Sequence, residues 1–126
     1  MLFRSYIIIA SIIQKEAANK DEMPIVSSVI YNRLKKDMKL QMDGSLNYGQ
    51  YSHVKVTPQR IREDTSSYNT YLNKGLPPQP VCSVSKDAII AAIFPKTTDY
   101  LYFVKNKNGT HTFSQNYEKH LENIRN

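Results

Sequence analysis

Ala10-Ser11-Ile12-Ile13-Gln14-Lys15-Glu16-Ala17 is the stretch from which the rest of the chain is read. Around it, Leu2, Tyr6, Ile9, Ile13 and Ala17 recur at helical spacing, with Phe3 and Ala10 beside them. The spacing predicts an amphipathic helix over residues 2–18. At about 100° per residue, Leu2, Ile9 and Ile13 centre one face, while Arg4, Ser11 and Lys15 centre the other. Glu16 falls about 20° from Ile9, on the apolar side and away from the charged residues next to it in sequence. A carboxyl group facing apolar surface has its neutral form favoured by desolvation. That is the state required of a proton donor near neutral pH. A frayed helix end that turns Glu16 outward into water is the competing reading of the same geometry.

Outward from this helix, Asn19-Lys20-Asp21 reads as a connection with Asp21 as N-cap. A second helix follows through Met23, Val26, Val29, Ile30 and Leu34, with Pro24 tolerated in its first turn. Its other side, Asn32, Arg33, Lys35 and Lys36, reads as a solvated basic face. Residues 38–51 begin with alternation and turn at Asp43-Gly44. One helical turn is expected after Thr57-Pro58. Tyr68 to Pro80 is a loop stiffened by Pro77, Pro78 and Pro80. Ser85 is expected to cap a helix to Phe94, packed through Ala88, Ile89, Ala92 and Ile93 and stopped before Pro95. Tyr100 to Val104 reads as a strand, Asn106-Lys107-Asn108-Gly109 as a hairpin turn and Thr110 to Phe113 as the return strand. A last helix, capped by Ser114, runs through Tyr117, Leu121 and Ile124. The fold class expected is α+β: one helix-rich domain over residues 1–126 with a small antiparallel β-hairpin.

Composition bounds the function. The 126 residues carry a net charge of +6 and 40% hydrophobic residues, as a globular domain with acidic partners would. Nucleic acid, anionic membranes and carboxylate-bearing wall polymer all satisfy that charge. The lysines are scattered and not clustered beside aromatic faces, which argues against a nucleic-acid module. Nine tyrosines and no tryptophan supply flat faces bearing hydroxyls, suited to sugar recognition. The lone Cys82 excludes an internal disulfide and reads as a small buried hydrophobe. His53, His111 and His120 show no metal-ligand spacing, and no metal is expected. Met1 to Ala18 has some features of a signal peptide, but Ser11 interrupts the apolar run. A domain trimmed from a longer, anchored protein accounts better for the abrupt start.

Six motifs then occur in one order. They are Ala10 to Glu16; Asn32-Arg33-Leu34 with Met38 to Asp43; Tyr68-Asn69-Thr70-Tyr71; Gly75-Leu76-Pro77-Pro78; Tyr100 to Val104; and Gly109 to Ser114. Together they resemble the catalytic domain of the YceG-like endolytic murein transglycosylases of bacteria, over about residues 8–120. The chain departs from that pattern at Gln14, where the family has a glutamate. It departs again at Asp43-Gly44-Ser45, where the family has Asp-Pro-Thr.

The resemblance implies cleavage of peptidoglycan glycan strands between N-acetylmuramic acid and N-acetylglucosamine, leaving a 1,6-anhydro end. It places the catalytic role on Glu16 and makes Gln41, Asp43, Tyr68, Asn69 and Tyr71 the expected substrate-binding residues. His111 is expected to be structural or supporting. Glycan strands are the expected partner, with cell-wall synthesis machinery a further one and nucleic acid excluded. The implied location is the periplasmic face of the inner membrane. The membrane helix and LysM-like region that the family carries lie outside these 126 residues. No cofactor is expected: a pyridoxal-phosphate lyase needs a Schiff-base lysine and a phosphate cup, and no motif for either is visible. The rival class is a glycan-binding module without catalysis.

Overall fold

Helix α1 (Phe3–Glu16) forms where the isoleucine periodicity predicts it, in a computed structural model that describes residues 2–125. Its Ile9, Ile12 and Ile13 have no solvent exposure and sit at the middle of the core. Burying each such side chain contributes about 1.5–3 kcal/mol. Helix α2 (Met23–Lys35) packs on α1 through Val26, Val29 and Ile30. Helix α3 (Pro58–Glu63) is the single turn expected after Thr57, whose side chain accepts from the Arg60 N–H. Helix α4 (Lys86–Ile93) is capped by Ser85, which accepts from the Ala88 N–H. Its Ala88, Ala91 and Ala92 are small enough to bring it close against α1 and α2.

Strands β1 (Tyr102–Lys105) and β2 (His111–Ser114) pair antiparallel, with Phe103 opposite Phe113 and Lys105 opposite His111. Gly109, with φ of +82°, closes the hairpin turn in a conformation a side chain disfavours. Helix α5 (Tyr117–Arg125) folds back on the hairpin. Five helices and one two-stranded sheet make the α+β domain that the pattern predicts, counted among the described residues. None of these helices is long and apolar enough to cross a membrane.

Several local expectations are corrected. Asn19, not Asp21, is the cap: its Oδ1 accepts from the Glu22 N–H and starts a 3₁₀ turn (Lys20–Glu22) that runs straight into α2. Arg33 is not part of a solvated face but is buried, 6% exposed. Asn32 likewise donates through Nδ2 to the Thr98 and Tyr100 carbonyls, 2.9 Å each. Ile93 is exposed, because the close approach of α4 is made by its alanines. Asn116, not Ser114, caps α5 by accepting from the Lys119 N–H. Ser114 is instead buried in β2. Cys82 is half-buried, donating weakly to the Ser11 carbonyl, and burial raises its thiol pKa.

Candidate active site

Glu16 is the last residue of α1, where the helix stops because Ala17 turns to extended geometry. Residues 43–46 pack against this end as a second 3₁₀ turn (Asp43–Leu46). The Gly44 N–H donates to Glu16 Oε1 at 2.6 Å. Burial raises the Glu16 pKa to about 7, opposed by the Gly44 hydrogen bond and reinforced by the charge of Asp43. The carboxyl group is therefore divided between its acid and its carboxylate at neutral pH.

Gly44 is required by closeness, not by φ. A Cβ there would sit 2.7 Å from Lys15 Cβ and 2.8 Å from Glu16 Oε1. Lys15 Cβ is fixed to the helix backbone and cannot swing away, so the turn itself would have to move. Gly44→Ala is expected to destabilise the fold by about 1–3 kcal/mol, as overpacking does. Loss of the hydrogen bond from the residue-44 N–H to Glu16 would accompany it, with turnover falling at least about tenfold. Thermal unfolding and turnover measured together check this; an unchanged variant would show that the close approach is unimportant.

Gln41 and Asp43 flank the same turn. Gln41 takes a left-handed φ of +52°, a conformation costing a non-glycine residue about 1–2 kcal/mol. It is held there because its N–H donates to the Thr70 carbonyl, while Thr70 Oγ1 accepts from the Met42 N–H. Its exposed side-chain amide has no partner among the described residues. Asp43 Oδ1 accepts a hydrogen bond from the Tyr71 hydroxyl. Burial and this carboxylate both raise the Tyr71 pKa, so the phenol stays protonated as a donor.

Two clefts meet at Glu16. One, about 420 Å³, is lined by Gln41, Asp43 and Tyr71 on one side and by Arg33, Tyr102 and His120 on the other. The second, about 370 Å³, lies between the end of α1 and the hairpin and includes Lys15, Lys105 and His111. Glu16, Lys105 and His111 border both. The arrangement sets an ionisable acid at the midpoint of a groove, with aromatic faces on one arm and lysines on the other.

Of the residues expected at the site, Glu16, Gln41, Asp43 and Tyr71 are brought together. Tyr68 and Asn69 are not. Tyr68 stacks on Tyr48 at 4.3 Å and lines neither cleft. Asn69 is fully buried, donating to the Ile61 and Asp64 carbonyls and accepting from the Tyr71 N–H. It shapes the loop that carries Tyr71. Gln14 also points elsewhere, its Oε1 accepting from the Ser85 N–H.

Sequence reasoning misses Arg33, Gly44, Tyr102 and His120. Arg33 Nε donates to the Leu101 carbonyl and Nη1 to those of Lys39 and Leu40, at 2.7, 2.7 and 3.2 Å. Its guanidinium lies 4.9 Å from the centre of the Tyr102 ring, on which His120 also stacks. A signal for Arg33 does exist: it follows Val26, Val29 and Ile30 at seven, four and three residues, on the apolar face of α2.

The sequence and the fold have counterparts among known proteins. The YceG-like family model matches residues 2–126. The endolytic murein transglycosylase of Bacillus subtilis is 40% identical over 111 residues, covering 88% of this chain and 31% of its own length. That of Streptococcus pneumoniae is 37% identical over 122 residues, covering 92% of this chain and 22% of its own. The chain thus spans a third or less of these relatives. The crystal structure of a YceG-like protein from Listeria monocytogenes superposes with a TM-score of 0.84 at 42% identity, covering 90% of this chain and 38% of that one. With its fold and its ordered motifs both matched across nearly the whole length, the chain belongs to the YceG-like family.

Proposed function

We propose that this domain is a peptidoglycan lytic transglycosylase that cuts within glycan strands. The observation that carries the reading is Glu16: a carboxyl group held near a pKa of 7 where two clefts meet, so that a polymer crossing the groove has its linkage beside an acid. The names of the Bacillus and Streptococcus relatives support the same substrate class.

Hydrolytic glycosidases usually need two carboxyl groups, one for the leaving group and one for the nucleophile or its water. One suffices when the nucleophile belongs to the substrate. Glu16 donates its proton to the glycosidic oxygen as the C1–O bond breaks. The C6 hydroxyl of the same sugar attacks C1, and the Glu16 carboxylate takes the hydroxyl proton as the 1,6-anhydro ring closes. The acid is thereby restored. Intramolecular attack supplies the proximity that a second group would otherwise provide. Gln41 and the Asp43–Tyr71 pair orient sugar hydroxyls on the aromatic arm. The reaction belongs on the outer face of the cytoplasmic membrane, where the glycan lies, beside the machinery that extends it.

Mass spectrometry of products from purified sacculi tests the reading. Termini lighter by one water than a hydrolytic end are expected. Reducing ends would instead indicate a hydrolase, and intact strands retained by the domain would indicate a binding module.

A further inference from the structure

Glu22 belongs to none of the six motifs, yet it is 7% exposed and holds His111 of the hairpin through two contacts. Its Oε1 accepts from the Ala18 N–H at 3.0 Å, just beyond the end of α1. Its Oε2 accepts from the His111 N–H at 2.6 Å. The third contact is between Oε1 and His111 Nδ1, at 2.7 Å. Both oxygens already receive backbone N–H groups, so the group acts as an acceptor-only carboxylate, and the hydrogen on this third contact belongs to Nδ1.

The Phe103 ring stands edge-on to the imidazole, with centroids 5.1 Å apart and planes at 89°, and fixes it from the strand side. With Nδ1 engaged, Nε2 is the polar atom the ring has left. His111 borders both clefts that meet at Glu16, with about a tenth of its side chain, 11%, exposed. A fixed tautomer, a ring held in place and a second nitrogen at a substrate groove amount to more than a hairpin anchor.

We propose that the Glu22–His111 pair is a substrate-binding device: Glu22 fixes the imidazole so that Nε2 accepts a hydrogen bond from a glycan hydroxyl or N-acetyl N–H crossing the Glu16 junction. This deepens the transglycosylase reading and rests on it. The pair joins the chain just after α1, which carries Glu16, to the strand that walls both clefts. A sugar held by Nε2 is therefore held in register with the acid.

Two substitutions separate binding from anchoring. His111→Asn keeps an N–H donor where Nδ1 stood, so the contact to Glu22 survives, but nothing remains at the Nε2 position. His111→Gln reaches that position and retains an acceptor there. The proposal expects His111→Asn to keep its melting temperature and lose about tenfold or more in kcat/KM, the worth of one hydrogen bond made to bound substrate. His111→Gln should recover part of that loss. A fully active His111→Asn variant would overturn the proposal.

A measurement free of His111 substitutions uses the uniformly ¹⁵N-labelled Glu16→Gln protein, titrated with soluble glycan strands released from sacculi by an amidase. Nε2 is expected to shift together with backbone amides near Gln41 and Tyr102. Movement of those amides with Nε2 unmoved would overturn the His111 role and leave the transglycosylase reading standing. No movement anywhere would overturn both.

Discussion

Glu16→Gln is expected to lower formation of anhydro ends by about 10²–10⁴-fold, the range for a single general acid–base group, while glycan binding survives. Gln keeps the shape and can still accept from the Gly44 N–H, so the loss isolates the proton. The sign of the pH dependence follows from the raised pKa. Donation needs the protonated form, so activity of the parent protein should fall as pH rises through about 7. Stability should respond in the same window. A carboxyl group whose folded pKa lies above its unfolded value favours the fold fully below pH 4.5, and that contribution is lost as pH rises through about 7. Charging Glu16, which is only partly buried and so partly screened by solvent, costs at most about 3 kcal/mol at the usual 1.36 kcal/mol per unit. Glu16→Gln should therefore melt higher than the parent at pH 8.5 and at nearly the same temperature at pH 4. Equal melting at both values would show that the carboxyl group is solvated.

Replacing Arg33 is expected to have the largest effect on stability. Its guanidinium makes three hydrogen bonds to carbonyls on two segments, Lys39 and Leu40 before the 3₁₀ turn at the site and Leu101 just before β1. Arg33→Met fills much of the same volume but leaves all three oxygens without their donor. Hydrogen bonds to charged groups are worth about 1.5–3 kcal/mol each, and with partial re-solvation a net loss of about 3 kcal/mol is expected. Arg33→Lys should rescue little, because one ammonium cannot span both segments as the planar fork does. Denaturant unfolding measures the loss; a variant within about 0.5 kcal/mol of the parent, the range of ordinary surface changes, would mean that Arg33 is ornamental. Activity should fall with it, since Arg33 sets the spacing between the Gln41–Asp43 side of the cleft and the Tyr102 side.

Much of the fold is legible in the sequence because its signals are local to a few residues. The period of the isoleucines places Glu16 inward, Thr57-Pro58 and Ser85 mark helix starts, and Asn106 to Gly109 marks the hairpin. Arg33 misleads for a physical reason. Its position on α2 follows the apolar period, but its charge argues for water, and only the carbonyls brought in by distant segments make burial tolerable. Asn69 misleads in the opposite sense: a polar residue in a motif is expected at the substrate, and its amide instead closes its own loop. Gly44 and Glu22 escape pattern reading altogether. One matters through a close approach to α1 across 28 residues of sequence, the other through a contact to His111 across 89.

The central claim is that Glu16 is an acid held ready for proton transfer near neutral pH. Titration of its side-chain ¹³C carboxyl resonance, assigned by its disappearance in Glu16→Gln, measures this directly. A midpoint near 7 is predicted. A midpoint near 4.5, the value of a glutamate in water, would contradict the account.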